Sequence, residues 1–260
     1  NLIMGNIYLI IYYLVYLVAV FTVGPLFLKF LNIKFGSKVE RWVFEFALGN
    51  LVYSLIFIYL GIFHLLYAKL LLVFYLLPSF LLVKRLLFGQ LKLNIAFNIK
   101  KFLKYRWETL EVFIFLFLFT MFLPIVPHIF AFPTSWDPLA YHLVLPKIYL
   151  QDHFFSFYSW LSQTSLPIGI ESLFAYGELV GDPRISNMIV FTFLLLLVIF
   201  IVYGLRSIFP RSVLFLALIL FLYKRILFTP VSFNGYVDFP FAPLPCMTTN
   251  FCSDVSADRE

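Results

Sequence analysis

Long apolar runs broken by short polar clusters dominate this chain, and their lengths predict helices that cross a membrane. A spanning helix needs about 20 mostly apolar residues. Runs of that kind fall at about 7–31, 43–66, 67–83, 110–131 and 184–209, with a shorter, broken one at about 212–233. No alternation of apolar and polar positions and no Gly-rich turn pattern suggests a barrel. The fold class is therefore all-α: polytopic transmembrane helices with an interfacial-helix loop on the extracytoplasmic side. The first run is longer than a signal-peptide core of about 7–15 residues, and no basic region precedes it, so it reads as a span.

Lys and Arg positions orient these helices, because cytoplasmic links are enriched in them. Lys34, Lys38 and Arg41 follow the first run. Lys84, Arg85, Lys92, Lys100, Lys101, Lys104 and Arg106 fill the link after the third. Both links read as cytoplasmic, with a tight outer turn near His64 to Lys69 between them. The fourth helix then delivers residues 131–165 to the other side, where Asp137 and Asp152 accompany the single Lys147. Arg206 and Arg211 mark the return to the cytoplasm. Three regions follow: N-terminal helices and a basic linker at 1–109, a membrane core at 110–238 whose first outer loop is 131–183, and an atypical tail at 239–260. The tail, rich in Pro and then polar and acidic, starts where another helix is due and reads as a truncation or frameshift.

Two amphipathic segments do not fit the spanning pattern. Leu139, Leu143, Pro146 and Leu150 recur at helical spacing, which predicts a helix at about 138–151 lying in the interface plane. The stretch "PIGIESLFAYGELVGD" is helical in pattern but short, and Glu171 and Glu178 share one of its faces. It reads as an interfacial or re-entrant outer helix, since a span here would place Arg206 and Arg211 outside. An ordinary short membrane helix with snorkelling acids is the other reading.

Composition adds the solvent. The chain is 63% hydrophobic and 12% charged, against about 45–50% apolar and about 25% charged in soluble domains. Its mean hydropathy is +0.98. The abundant Phe (35) and Tyr (16) suit packing against acyl chains and headgroups. The net charge of +6 comes from basic links between apolar runs, which points to anionic lipid and not to nucleic acid. Cys246 and Cys252 match no metal spacing, and neither do His64, His128 and His153.

Candidate chemistry centres on "TSWDPLAYHLVLPKIYL", Thr134 to Leu150. Asp137 precedes Pro138, which suits a first helical turn, so Asp137 is a candidate N-cap. A carboxylate at the headgroup level has a second use. It can take a proton from an attacking hydroxyl or amine, or help hold a divalent cation such as Mg or Mn against a phosphate. Tyr141 shares its flank. His142 either assists or packs at the headgroups, and Lys147 either pairs with a phosphate or snorkels. Glu171 is a further candidate. Asp238, in "FNGYVDF", returns to the same side by parity. Lys224 and Arg225 lie deep in the last apolar run, where each charge costs about 2.5–3.5 kcal/mol. Either that helix ends near Tyr223 or the two cations face an anion such as a lipid phosphate.

The order and spacing of "SWDPLAYHLVLPKIYL", "LPIGIESLFAYGELVGD", a long helix and "GYVD" resemble polytopic membrane glycosyltransferases of the C superfamily. Relatives there include aminoarabinose and mannosyl transferases that use polyprenyl-phosphate sugars. The resemblance covers about Phe132 to Asp238; before it, the chain is similar only in being hydrophobic. It implies that Asp137 is the first-loop acid, a catalytic base or metal-side carboxylate, and that Asp238 is the second-loop acid. It also implies a polyprenyl-phosphate-linked sugar as donor, inversion at the anomeric carbon, a multi-pass cell-membrane location, and further helices without which the 260 residues are inactive alone. The opposing class is a transporter or flippase-like protein whose acids line a path; a non-catalytic membrane scaffold is the third.

Overall fold

The computed structural model describes residues 2–33, 35–87, 116, 119–120, 123, 125–134, 136, 138–161, 164, 169, 171–205 and 213. Its elements are α1 (Leu2–Leu31), α2 (Lys38–Ile62), α3 (Ala68–Leu87), α4 (Ile125–Phe130), a π-helical turn (Pro138–His142), α5 (Val144–Asp152), α6 (Glu171–Val180) and α7 (Arg184–Leu205). No strand occurs among the described residues. Among the described residues two helices, Met4–Leu31 and Lys38–Ile62, are long and apolar enough to cross a membrane. Arg184–Phe200 is apolar but shorter.

α1, α2, α3 and α7 fall on the apolar runs, with α1 and α2 each starting five residues earlier than the run. α2 starts five residues before the apolar run because Ser37 and Glu40 form a capping box. The Ser37 hydroxyl accepts from the Glu40 N–H at 3.1 Å, and the Glu40 carboxylate accepts from the Ser37 N–H at 3.2 Å. Those bonds satisfy donors that a helix start leaves open, whatever the hydropathy of the first turn. Of the run at 110–131, the described residues form only the short α4 and isolated helical positions. The broken run at 212–233 lies outside the described residues apart from Val213.

α1 packs on α2, α3 and α7, while α6 enters between α2, α3 and α7. Glycine sets the α1–α2 distance. A Cβ on Gly24 would run into the Glu45 backbone, and one on Gly49 into the Val20 carbonyl. Small residues allow such close backbone approach, which is how apolar helices gain dispersion energy from one another without a hydrophobic drive.

Tyrosines fill the centre. Tyr53 of α2 stacks on Tyr75 of α3 with centroids 4.2 Å apart, and Tyr75 meets Tyr176 of α6 at 4.5 Å. Each hydroxyl in such a core needs a partner. Tyr16 binds Asn50, Tyr13 binds Thr192, and Tyr176 donates to the Tyr12 carbonyl at 2.9 Å. Tyr53 donates to the Phe74 carbonyl at 3.0 Å. That carbonyl has no helical donor, because residue 78 of α3 is a proline and carries no N–H. The hydroxyl of α2 therefore supplies a bond that α3 cannot make for itself.

The outside of the bundle is apolar too. Ile7, Ile11 and Leu14 of α1, Leu51 and Leu55 of α2, and Val73, Leu77 and Phe80 of α3 are all exposed. Large apolar side chains facing outward on three helices make a surface that water solvates poorly.

The helices have two distinguishable ends. Arg184 Nη1 donates to Asn6 Oδ1 at 3.0 Å, so α1 and α7 start at the same end. Phe200 packs with Val43, which joins the far part of α7 to the start of α2. The α2–α3 turn lies at the first end, where the Leu66 N–H donates to the His153 carbonyl at 3.1 Å. Residues 138–161 and 182–184 thus share an end with the α2–α3 turn, and Lys29, Lys38 and Arg41 gather at the other.

Candidate functional site

Two segments of the first end meet through one polar pair. His142 Nδ1 lies 3.0 Å from Glu171 Oε1, with side-chain exposures of 5% and 13%. The second Glu171 oxygen accepts from the Gly169 N–H at 3.1 Å. A carboxylate beside Nδ1 favours a proton there, which orients the ring and leaves Nε2 as the basic nitrogen of the neutral imidazole. His142 is thus neither a surface headgroup residue nor a lone core histidine. Its neighbour Tyr141 is partly buried, its ring 4.0 Å from the imidazole centroid.

The 138–151 segment is not one regular helix. Pro138–His142 is a π turn, and α5 begins only at Val144 with no side-chain cap. A π turn adds residues per turn and moves the register of everything after it. Leu143, Pro146 and Leu150 are buried as the stripe predicts, whereas Leu139, inside the π turn, is exposed. The same shift places His142 in the protein interior facing α6.

α6 differs from a surface-lying helix. Ser172 to Gly177 are all buried, so the helix is enclosed on every face over that stretch. The Ser172 hydroxyl donates to the Gly169 carbonyl at 2.6 Å and lies within hydrogen-bond distance of Ser54 Oγ of α2, at 2.8 Å. α6 is thus packed within the bundle and does not lie on its surface. Glu171 and Glu178 do share the side that meets the 138–152 segment. Burial pushes the Glu178 carboxyl above its ordinary range, and the charge of Lys147 only partly offsets that. Lys147 itself is exposed.

The edges of this region are fixed from three directions. Asp152 accepts from Tyr158 and, at 2.7 Å, from Ser156, and these bonds hold its carboxyl below the usual range, Tyr158 contributing most. His153, in the left-handed conformation at φ 66°, ends α5 and packs its ring 4.1 Å from Tyr67. Buried Asn187 of α7 donates to the Ala131 and His128 carbonyls at 2.9 and 3.3 Å. Arg184 is held by Asp182, with a shortest separation of 2.6 Å, and lies 5.0 Å over the Phe132 ring. α7 therefore anchors the chain that leads into the Trp-Asp motif.

Tyr141, His142, Lys147 and Glu171 are thereby brought to one region. Asp137, Asp238, Lys224 and Arg225 lie outside the described residues. No group of three or more His, Cys, Asp or Glu side chains is placed to hold a metal among the described residues. Sequence reading did not single out Asn187, Ser54 or Asn50. A signal for them existed: each is a polar residue inside an apolar helix, where it must find a partner in a neighbour. The chain matches no protein-family profile, and neither a curated protein nor a solved structure was found to be similar to it.

Proposed function

We propose that this chain belongs to a multi-pass membrane glycosyltransferase that takes a sugar from a polyprenyl-phosphate donor on the extracytoplasmic side, with Asp137 deprotonating the acceptor. The observation that carries the reading is the His142–Glu171 pair. It joins the two motifs on which the resemblance rests, although 29 residues separate them. They pack together at the end of the bundle opposite Lys29, Lys38 and Arg41, the polarity that a cytoplasmic basic face requires. Asp137 precedes His142 by five residues in the same motif. Lys147 adds an exposed cation suited to a lipid phosphate, and a divalent cation, Mg or Mn, would serve the same leaving group. Acid or base assistance of this kind contributes about 10²–10⁴-fold in rate.

Transport is the second reading, and one observation favours it: α6 is a short helix buried inside a bundle, as at many carrier sites. The Asp137→Asn variant separates the two. Asn caps a helix nearly as well as Asp, so a structural Asp137 tolerates the change, whereas a general base does not. Transfer of labelled sugar from polyprenyl phosphate is measured in membranes holding the full-length protein, normalised to protein level. Loss of at least about 100-fold is expected. Near-normal transfer returns Asp137 to capping, and sugar-independent solute uptake would favour the carrier.

A further inference from the structure

At the end of the bundle away from the candidate site, α1, residues 35–37, the start of α2 and Leu82 of α3 line an open cavity of about 1000 Å³. Its composition is divided. Leu26, Ile33 and Leu82 give it apolar walls, while Lys29, Lys38 and Arg41 supply cations. Nearby carboxylates are already engaged. Glu40 caps α2 through the Ser37 N–H, and Glu45 receives Arg41 Nε at 2.7 Å. Lys29 and Lys38 are exposed and form no ion pair among the described residues. Lys38 is also the first residue of α2, where a positive charge meets the positive end of the helix dipole. With the Glu40 carboxylate already engaged in the cap, an anion between the lysines would relieve that repulsion.

We infer that this cavity binds one anionic phospholipid of the cytoplasmic leaflet, its headgroup phosphate between Lys29 and Lys38 and its glycerol and upper acyl carbons against Leu26, Ile33 and Leu82. The inference rests on the membrane part of the proposed function and not on sugar transfer. Charge complementarity and the joined apolar wall select this occupant. A free phosphate uses the lysines but gains nothing from the leucines, whereas a zwitterionic lipid brings its own cation to the two ammonium groups. Basic pockets at helix ends on this leaflet are suited to such headgroups, each Lys near the surface strengthening binding roughly fivefold. Bound there, the lipid would fasten α1, α2 and α3 at the end opposite the motifs.

The test uses the full chain in phosphatidylcholine nanodiscs doped with phosphatidylglycerol, with native mass spectrometry reading the lipid retained on release. One phosphatidylglycerol per chain is expected, displaced by raised salt but not by excess inorganic phosphate. The Lys29→Gln/Lys38→Gln double variant should retain it roughly 30-fold more weakly, the loss of two lysine attractions. The Lys29→Arg/Lys38→Arg variant should retain it as the parent does and shows that the helices remain assembled. Equal retention of both lipids, displacement by inorganic phosphate, or unchanged binding in the Gln variant overturns the inference. Alkaline extraction of cell membranes reports the membrane reading separately. Release of the chain there sinks both ideas, whereas a chain that stays in the membrane without lipid preference sinks this one alone.

Discussion

The His142 imidazole and the Glu171 carboxylate face each other at 3.0 Å across the seam between the π turn and α6. Both are nearly enclosed, so neither can exchange its partner for water at little cost. Replacing Glu171 with Ala removes the carboxylate that pairs with the buried ring, which costs about 1–3 kcal/mol. Glu171→Gln keeps an acceptor and should lose less than half of that. Thermal unfolding in detergent measures both, and a double-mutant cycle with His142→Phe isolates the coupling. No coupling would mean that the two motifs pack without this bond.

Glu178 should make stability depend on pH. Its folded-state carboxyl is raised above its ordinary value of 4.5, chiefly by burial. Between that value and the raised one, the folded chain binds more protons than the unfolded chain, so stability falls as pH rises through the window and levels off above it. Glu178→Gln should remove this slope. Lys147→Gln should extend the window to higher pH, because Lys147 is what draws the folded-state value down. Melting temperatures of the three proteins across the acid range provide the check; an unchanged slope in Glu178→Gln would assign it to other groups.

Tyr53 and Pro78 should be energetically coupled through the Phe74 carbonyl. Tyr53→Phe removes the hydroxyl that serves this carbonyl and should cost about 1 kcal/mol. With Pro78→Ala the N–H of residue 78 can serve it instead, and the same Tyr53→Phe change should then cost much less. The measurement is a four-member unfolding cycle in detergent. Equal costs in both backgrounds would show that the carbonyl does not depend on Tyr53.

The orientation has its own test. With Cys246 and Cys252 replaced, a cysteine at exposed Ser159 should react with an impermeant reagent in intact cells. One at Asn98 should react only after the membrane is opened. The reverse pattern would turn the bundle over and move the motifs to the cytoplasm.

Much of the helical content was legible because a long apolar run has few alternatives. Buried or in lipid, its backbone must bond within itself, so run length predicts helix length. Run length located α3 to within four residues at each end, as well as the end of α1 and the start of α7, but it placed the start of α1 five residues late. It placed the start of α2 late, since the Ser37–Glu40 box acts through two local hydrogen bonds that hydropathy does not register. Residue pattern also placed Glu171 and Glu178 on one helix face, because seven residues are nearly two helical turns.

Tertiary structure decided what those faces meet. Periodicity carries no information about partners 29 residues away, so the pairing of His142 with Glu171 had no local signature. The π turn had none either: "PLAYH" continues the regular stripe, yet the chain winds more widely there and Leu139 is exposed. Burial of Ser172 to Gly177 was equally illegible, because a helix of ten residues with two acids reads alike whether it rests on a bundle or enters it. The sequence by itself determined helices, their lengths and the end where the basic residues lie, all set by backbone hydrogen bonding and charge. Which polar groups meet was decided by the fold, because each must find a partner in whatever neighbour close packing brings to it.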